Sequence, residues 1–272
     1  MAEMSGGNPD FREDPIFEPM DLVISTLIHH LHETSRPAPN TTREFVVDAF
    51  LIRAFNIFKS CHLLLRTYHW EDAAILMRSL FELLLNLEEI NRIPGESEQR
   101  AKKFLRFNEL QRWLQDKAQI EYEIKRGVRR KEVLEQVKAI DEVVLSVFDE
   151  FRNGKRKSGW ASSWANKSVY EMASRDNDSV RVMQYQVLYS MCSDIAHSGP
   201  FGAMTGVHYQ PKPIEDWEEN ETKRTLLVGS LATIWLLEVT MLAIDRLPGW
   251  DVSVNIDISR HIKRLNGWQH DK

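Results

Sequence analysis

Apolar residues recur along almost the whole chain at three- and four-residue intervals, the period of one helix face. Asp21–Glu33 places Leu22, Ile24, Leu27, Ile28 and Leu31 at such spacings before Pro37 and Pro39 end the run. Thr42 is positioned to cap a long helix reaching about Tyr68, with Phe45, Phe50, Phe55, Phe58 and Leu65 among its apolar positions. From Glu71 to about Arg92 the sequence is apolar nearly all round, which suits the centre of a bundle, and Pro94-Gly95 ends it.

The pattern then changes. Residues 96–126 and 129–152 are charge-rich, yet each keeps one apolar stripe: Phe104, Phe107, Leu110, Leu114 and Ala118, then Val133, Val137, Ile140, Val144, Phe148 and Phe151. Two stripes joined around Gly127 predict an antiparallel helical hairpin over 96–152. A basic, Trp-containing loop follows over 153–167, and Ser168-Val169-Tyr170-Glu171 has the form of a capping box that starts a short helix. Ser179 to about His197 reads as a helix stopped by Ser198-Gly199-Pro200, Phe201–Pro213 as a loop, and Glu218–Leu247 as the last long helix. No strand alternation or fixed-period repeat is visible. The expectation is an all-α helical bundle: residues 1–20 a disordered N-terminus, 21–247 a single helical domain that includes the hairpin, and 248–272 a C-terminal tail.

Composition narrows the class. A chain of 272 residues, 43% hydrophobic and 28% charged, can bury a sizeable core. The net charge of −5 excludes a globally basic nucleic-acid binder, though not a local basic patch. Two distant cysteines, Cys61 and Cys192, exclude a disulfide scaffold and a zinc ribbon. Thr225–Ile244 is long enough to span a bilayer, but Glu238 in its middle would cost roughly 2–4 kcal/mol in lipid. With no basic n-region ahead of an apolar run at the N-terminus, the expectation is a cytoplasmic protein without a membrane contact.

Candidate chemistry is sparse. On the central helix Glu71, Arg78, Glu82, Asn86 and Glu89 share a face, in a segment with little room to face water, so Arg78 and Glu82 are expected to pair beneath a neighbouring helix. Ser190, Asp194 and His197 share another face, where Asp194 is placed to orient the His197 imidazole as an acid, a base or a cation. Basic residues cluster at Lys125, Arg126, Arg129, Arg130 and Lys131 on the hairpin tip and at Lys155, Arg156 and Lys157 beyond its base, roughly 35 Å apart by helical rise. Both are candidate nucleic-acid contacts, although solvated turns rich in Lys and Arg are the commoner case. Histidines 29, 30 and 32, with Cys61-His62 and His69, lack the spacing of a metal site, so neither a metal nor another cofactor is expected.

Arg66-Thr67-Tyr68-His69-Trp70-Glu71-Asp72-Ala73, continuing through Arg78-Ser79-Leu80-Phe81-Glu82, resembles a segment of a prokaryotic helical family known as domain of unknown function 5677. Trp164-Ala165-Asn166-Lys167-Ser168 and Ser193-Asp194-Ile195-Ala196-His197 match that family's later Trp-x-x-Lys-Ser and Ser-x-x-x-His segments. The resemblance implies an all-α fold and a bacterial source. Lys167 in this stretch joins the candidate nucleic-acid contacts. A weaker likeness is to HEPN domains, helical bundles of toxin and phage-defence systems that often act as metal-independent ribonucleases. This sequence departs from their signature, an Arg followed by four to six residues and a His on one helix: Arg53 to His62 is too long, Arg66 to His69 too short, and His197 has no such Arg before it. The expected function is a defence or stress effector acting on RNA or nucleotides. In a ribonuclease His197 would be the acid or base, Arg66 or Arg78 would stabilise the phosphorane, and Asp194 would orient His197. The competing expectation is a non-enzymatic oligomeric scaffold or protein-interaction module; in either case the protein is expected to form homo-oligomers.

Overall fold

The computed structural model describes residues 14–33, 36–128, 132–156, 158–175, 178–197 and 214–267. Its elements, in chain order, are α1 (Phe17–Ile28), α2 (Thr42–Arg66), α3 (Trp70–Asn91), α4 (Ser97–Lys125), α5 (Val133–Val147), α6 (Val169–Ala173), α7 (Ser179–Met183), α8 (Ser190–Ala196), α9 (Ile214–Leu242) and α10 (Val252–Leu265). A wide π-turn over Gln184–Tyr189 joins α7 to α8, and another, His29–Glu33, extends α1. No strand occurs among the described residues, only the isolated bridge between Arg152 and Trp160. The expected all-α bundle with a charged hairpin is what forms.

Helices α2, α3 and α9 pack on one another most extensively and make the core. The sequence explains α3's place: its apolar residues face several directions, and Met77, Leu80, Phe81, Leu84 and Leu87 are fully buried. Trp235 of α9 is also fully buried, its ring centroid 4.8 Å from that of Phe81. The apolar stretch that had to be weighed against a membrane span is thus a core helix, with 67% of its most apolar window buried inside the protein. Glu238, the charge that interrupts it, meets Arg181 of α7 at 2.8 Å.

Three boundaries differ from the expectation. The cap of α2 is Thr41, not Thr42: its hydroxyl accepts from Glu44 N at 3.1 Å, while Glu44 reaches back to the Thr41 N–H in a reciprocal capping box. The N-terminal segment expected to be disordered over 1–20 is helical from Phe17, because Ile16, Phe17 and Met20 are buried in the core; residues 1–13 lie outside the described residues. The tail expected over 248–272 contains α10, whose Asp251 cap accepts from Ser253 N and whose Ile258 and Ile262 are buried. Val254, Ile258, Ile262 and Leu265 share the face that packs on the core, whereas Val252 and Ile256 are exposed. The stop at Ser198-Gly199-Pro200 and the loop over 201–213 lie outside the described residues.

Among the described residues the 96–152 hairpin is anchored at its base. Leu110 packs with Phe148, Phe151 and Ala161, extended by Phe107, Leu114 and Val144. Asp141 accepts from Trp113 Nε1 at 3.1 Å and pairs with Lys117. Val137, nearer the tip, is buried, whereas Ile140, assigned to the seam, is exposed, and with Val143 and Val147 it forms an outward apolar strip. At the base Glu98 binds the start of α2, accepting from Arg43 N at 2.8 Å and Thr42 N at 3.3 Å, donors that a helix start leaves unpaired.

Two expected outcomes follow from this packing. A Cβ on Gly229 of α9 would lie 2.8 Å from Ile16 Cγ1 and 3.2 Å from Met20 Sδ, so Gly229→Val should cost about 1–3 kcal/mol by overpacking, read as a lower melting temperature. The hydrogen bond from Arg43 N, more than any other contact, holds the Glu98 carboxyl at about 2, below its ordinary 4.5. A depressed carboxyl stabilises the fold above the unfolded value and loses that effect as pH falls through the folded one. Wild type should therefore melt above Glu98→Gln at pH 5, with the gap closing between about 4.5 and about 2.

Candidate functional site

One face of α3 carries the site, in the order Arg78, Glu82, Asn86, Glu89, and the run 179–196 lies antiparallel along it. At the first end Arg78 Nε donates to Glu82 Oε1 at 3.2 Å, and Arg78 Nη1 donates to His197 Nε2 at 3.0 Å. A guanidinium has no lone pair to offer, so Nε2 is the acceptor, and a neutral His197 must carry its proton on Nδ1. Tyr189 OH donates to the same Glu82 oxygen at 2.8 Å, and the Arg78 guanidinium lies 5.1 Å over the Tyr189 ring. Burial, reinforced by the Glu82 hydrogen bond, pushes the Tyr189 hydroxyl up to about 12. Burial works against the charge of Arg78, but Tyr189 and Glu82 more than offset it and keep the cation firmly protonated.

The expected meeting of Arg78 and Glu82 with the helix carrying Asp194 and His197 is therefore present. Its setting is more open than expected: the Arg78 and Glu82 side chains are 25% and 37% exposed, and His197 is exposed. Asp194 lies on α8 one turn before His197, and the imidazole is contacted from α3 by Arg78. Arg66 does not join them. It donates to Asp21 at 2.6 Å and to His62 at 3.0 Å and lies over the Phe17 ring, so its chemistry is spent on tying α1 to α2.

The π-turn matters here. Such insertions widen a helix and cluster at functional positions. This one stacks Tyr185 on Tyr189 with centroids 5.0 Å apart, and Tyr170 adds a third ring 5.2 Å from Tyr185. The tyrosines went unremarked in the sequence, although the i, i+4 spacing of Tyr185 and Tyr189 was a readable signal.

At the far end Glu89 is 5% exposed and binds three cations: Arg100 of α4, Lys167 at 3.2 Å, and Arg175 beyond α6. The family-type stretch Trp164–Ser168 builds part of this node. Trp164 is buried and donates to Asn86 Oδ1 at 2.6 Å, Asn166 adopts a left-handed φ of 54°, Lys167 reaches Glu89, and Ser168 caps α6 in a capping box with Glu171. Lys167, one of the expected nucleic-acid contacts, is half-buried and pairs with Glu89. Lys125, Arg126, Lys155 and Arg156 are exposed; Arg129, Arg130, Lys131 and Lys157 lie outside the described residues. Arg100, Arg175 and Arg181 escaped the sequence reading because nothing in their local spacing distinguishes them from surface charges.

No three His, Cys, Asp or Glu side chains among the described residues are arranged to hold a metal ion. Cys61 and Cys192 are buried, and burial pushes both thiols up to about 12, which leaves no thiolate for nucleophilic work at neutral pH.

The two ends differ in burial, which ranks their mutational costs. Removing one partner of a buried pair costs about 3–5 kcal/mol, whereas a partly exposed pair is worth less. Glu89→Ala should lower the melting temperature sharply and Glu82→Ala only modestly. Equal losses would contradict the burial gradient. No curated protein and no solved structure matches the chain significantly. Residues 44–209 match the model described as a family of unknown function, DUF5677, and since that match spans more than half of its length, the chain belongs to this family.

Proposed function

We propose that the protein is a cytoplasmic, metal-independent ribonuclease of bacterial defence or stress type whose reacting groups are His197 and Arg78. The observation that carries this reading is the 3.0 Å contact between the two side chains at the partly open end of the α3 face. A substrate phosphate would take over the Arg78 N–H and release Nε2 of His197. The imidazole then accepts the proton of the ribose 2′-hydroxyl, the 2′-oxygen attacks phosphorus, and the bond to the 5′-oxygen breaks, with water supplying the proton that oxygen needs. A 2′,3′-cyclic phosphate and a 5′-hydroxyl result. Arg78, fixed by Glu82 and Tyr189, offsets the charge that builds on the phosphorane. Tyr170, 43% exposed at the end of the Tyr170–Tyr185–Tyr189 row, offers a ring on which a base of any sequence can lie. The likeness to HEPN domains is one of chemistry, since here the Arg and the His come from different helices.

Cleavage of total RNA in the presence of chelator tests this. His197→Ala should lose about 100- to 10,000-fold and Arg78→Ala about 100- to 1,000-fold, both melting like wild type to within a few degrees. Absence of cleavage by wild type, or equal cleavage by His197→Ala, would refute the reading. The competing one, a non-enzymatic oligomeric scaffold, draws on the strip of Ile140, Val143 and Val147 outside the hairpin. It requires a dimer in sedimentation that Val143→Glu dissolves.

A further inference from the structure

Where α1 lies against the end of α2, three side chains form a polar cluster that the site on α3 does not use: Asp21 of α1, with His62 and Arg66 of α2. Arg66 Nη2 donates to Asp21 Oδ2 at 2.6 Å. Arg66 Nε lies 3.0 Å from His62 Nε2, and the same Nε2 lies 2.9 Å from Asp21 Oδ1. Two contacts therefore end on one ring nitrogen. A guanidinium only donates and a carboxylate only accepts, so the two neighbours make opposite demands of Nε2. With its lone pair free, Nε2 takes the Arg66 N–H; with a proton, it gives to Asp21. One proton chooses between two hydrogen-bonding states.

The surroundings make that choice costly. The His62 side chain is 15% exposed, its ring stands edge-on to Phe17 with centroids 5.7 Å apart, and the Arg66 guanidinium lies 4.5 Å over the same Phe17 ring. Among the described residues the charged groups acting on the imidazole are Asp21 from α1 and Arg66 from α2; α9, which packs on both helices, contributes none. We propose that Asp21, His62 and Arg66 form a proton-operated latch between α1 and α2, in which neutral His62 accepts from Arg66 and protonated His62 donates to Asp21 and turns the Arg66 Nε–H away. The latch stands apart from the Arg78–His197 pair and does not depend on the reading given to it.

Burial, the largest influence, and the Arg66 charge oppose protonation, Asp21 favours it, and the imidazole is held below its ordinary 6.5. The unfolded chain thus takes up this proton at a higher pH than the folded one. Its contribution to stability is complete above 6.5 and is lost as pH falls from there through the folded value. In acid two cations must share one carboxylate, and α1 leans more on its buried Phe17, Met20 and Val23.

The full chain, carrying histidine labelled with an NMR-active nitrogen isotope, tests this by long-range proton–nitrogen correlation, which shows whether each ring nitrogen bears a proton. The His62 signals are those that vanish in His62→Gln. At about pH 8 they should show a bare Nε2 and a protonated Nδ1, and titration should give a midpoint below 6.5. Arg66→Gln removes the opposing charge and should raise that midpoint, whereas Asp21→Asn should lower it. Hydrogen exchange of the α1 amides, corrected for the intrinsic effect of pH, should quicken from about pH 8 to about pH 5 in wild type. It should not do so in His62→Gln, whose amide can accept and donate at any pH. A proton on Nε2 at about pH 8, a midpoint at or above 6.5, midpoints that move the same way in both variants, or α1 exchange as pH-dependent in His62→Gln as in wild type would each overturn the inference. The tautomer and the wild-type midpoint need no substitution, so a variant that fails to fold leaves the test intact.

Discussion

A carboxylate removed from water must be met by charge, and at Glu89 this requirement organises the molecule. Glu89 sits near the end of the core helix α3, and its compensating cations come from three other places: Arg100 from the base of the hairpin, Lys167 from the Trp loop, and Arg175 from the segment after α6. The Arg100 Nε also donates to the Glu89 carbonyl at 2.7 Å, so backbone and side chain are held together. Segments with few buried apolar residues of their own are thereby fixed against the apolar core. The hairpin illustrates the need: along α4 only Ala101 and Leu110 are buried.

The same face of α3 changes character along its length. At Glu89 it is closed and supports the fold. Two to three turns earlier, at Glu82 and Arg78, it is open enough for the polar groups to be reached, and there it meets an exposed histidine. Buried charge networks resist rearrangement because each partner lost leaves another unpaired. A guanidinium held by Glu82 and Tyr189, with one N–H on an imidazole, can exchange that single contact for a phosphate oxygen without disturbing the others. The buried end is closed by its ion pairs, and the open end leaves polar groups within reach of solvent. Trp164 links them, because its indole hydrogen bond to Asn86 pins the loop midway between the two ends.

Local pattern was a good guide wherever the determining interaction was itself local. The 3.6-residue repeat placed α2, α3 and both arms of the hairpin, and the Ser168–Glu171 capping box formed as its spacing requires. The shift of the α2 cap from Thr42 to Thr41 shows the limit of such signals. Either threonine could cap, and Glu44 sits three residues after Thr41, which makes the reciprocal pair possible only there. At α10 the amphipathic pattern was present but short, and only its burial against the core makes it an element and not a tail.

By itself the sequence determined the helical class, the hairpin, the absence of a disulfide framework and the polar row on α3, since each follows from spacing along one chain. Only the tertiary structure decided which row members are buried, which cations meet Glu89, and that Arg78, not Arg66, faces His197. Arg78 and His197 are 119 residues apart. The pairing arises because the 179–196 run packs antiparallel on α3, and a choice between two arginines at such a separation leaves no local trace in the sequence. The π-turn belongs with these decisions. No spacing rule predicts an inserted residue, and the π-turn spans Tyr185 and Tyr189, which stack beside Arg78.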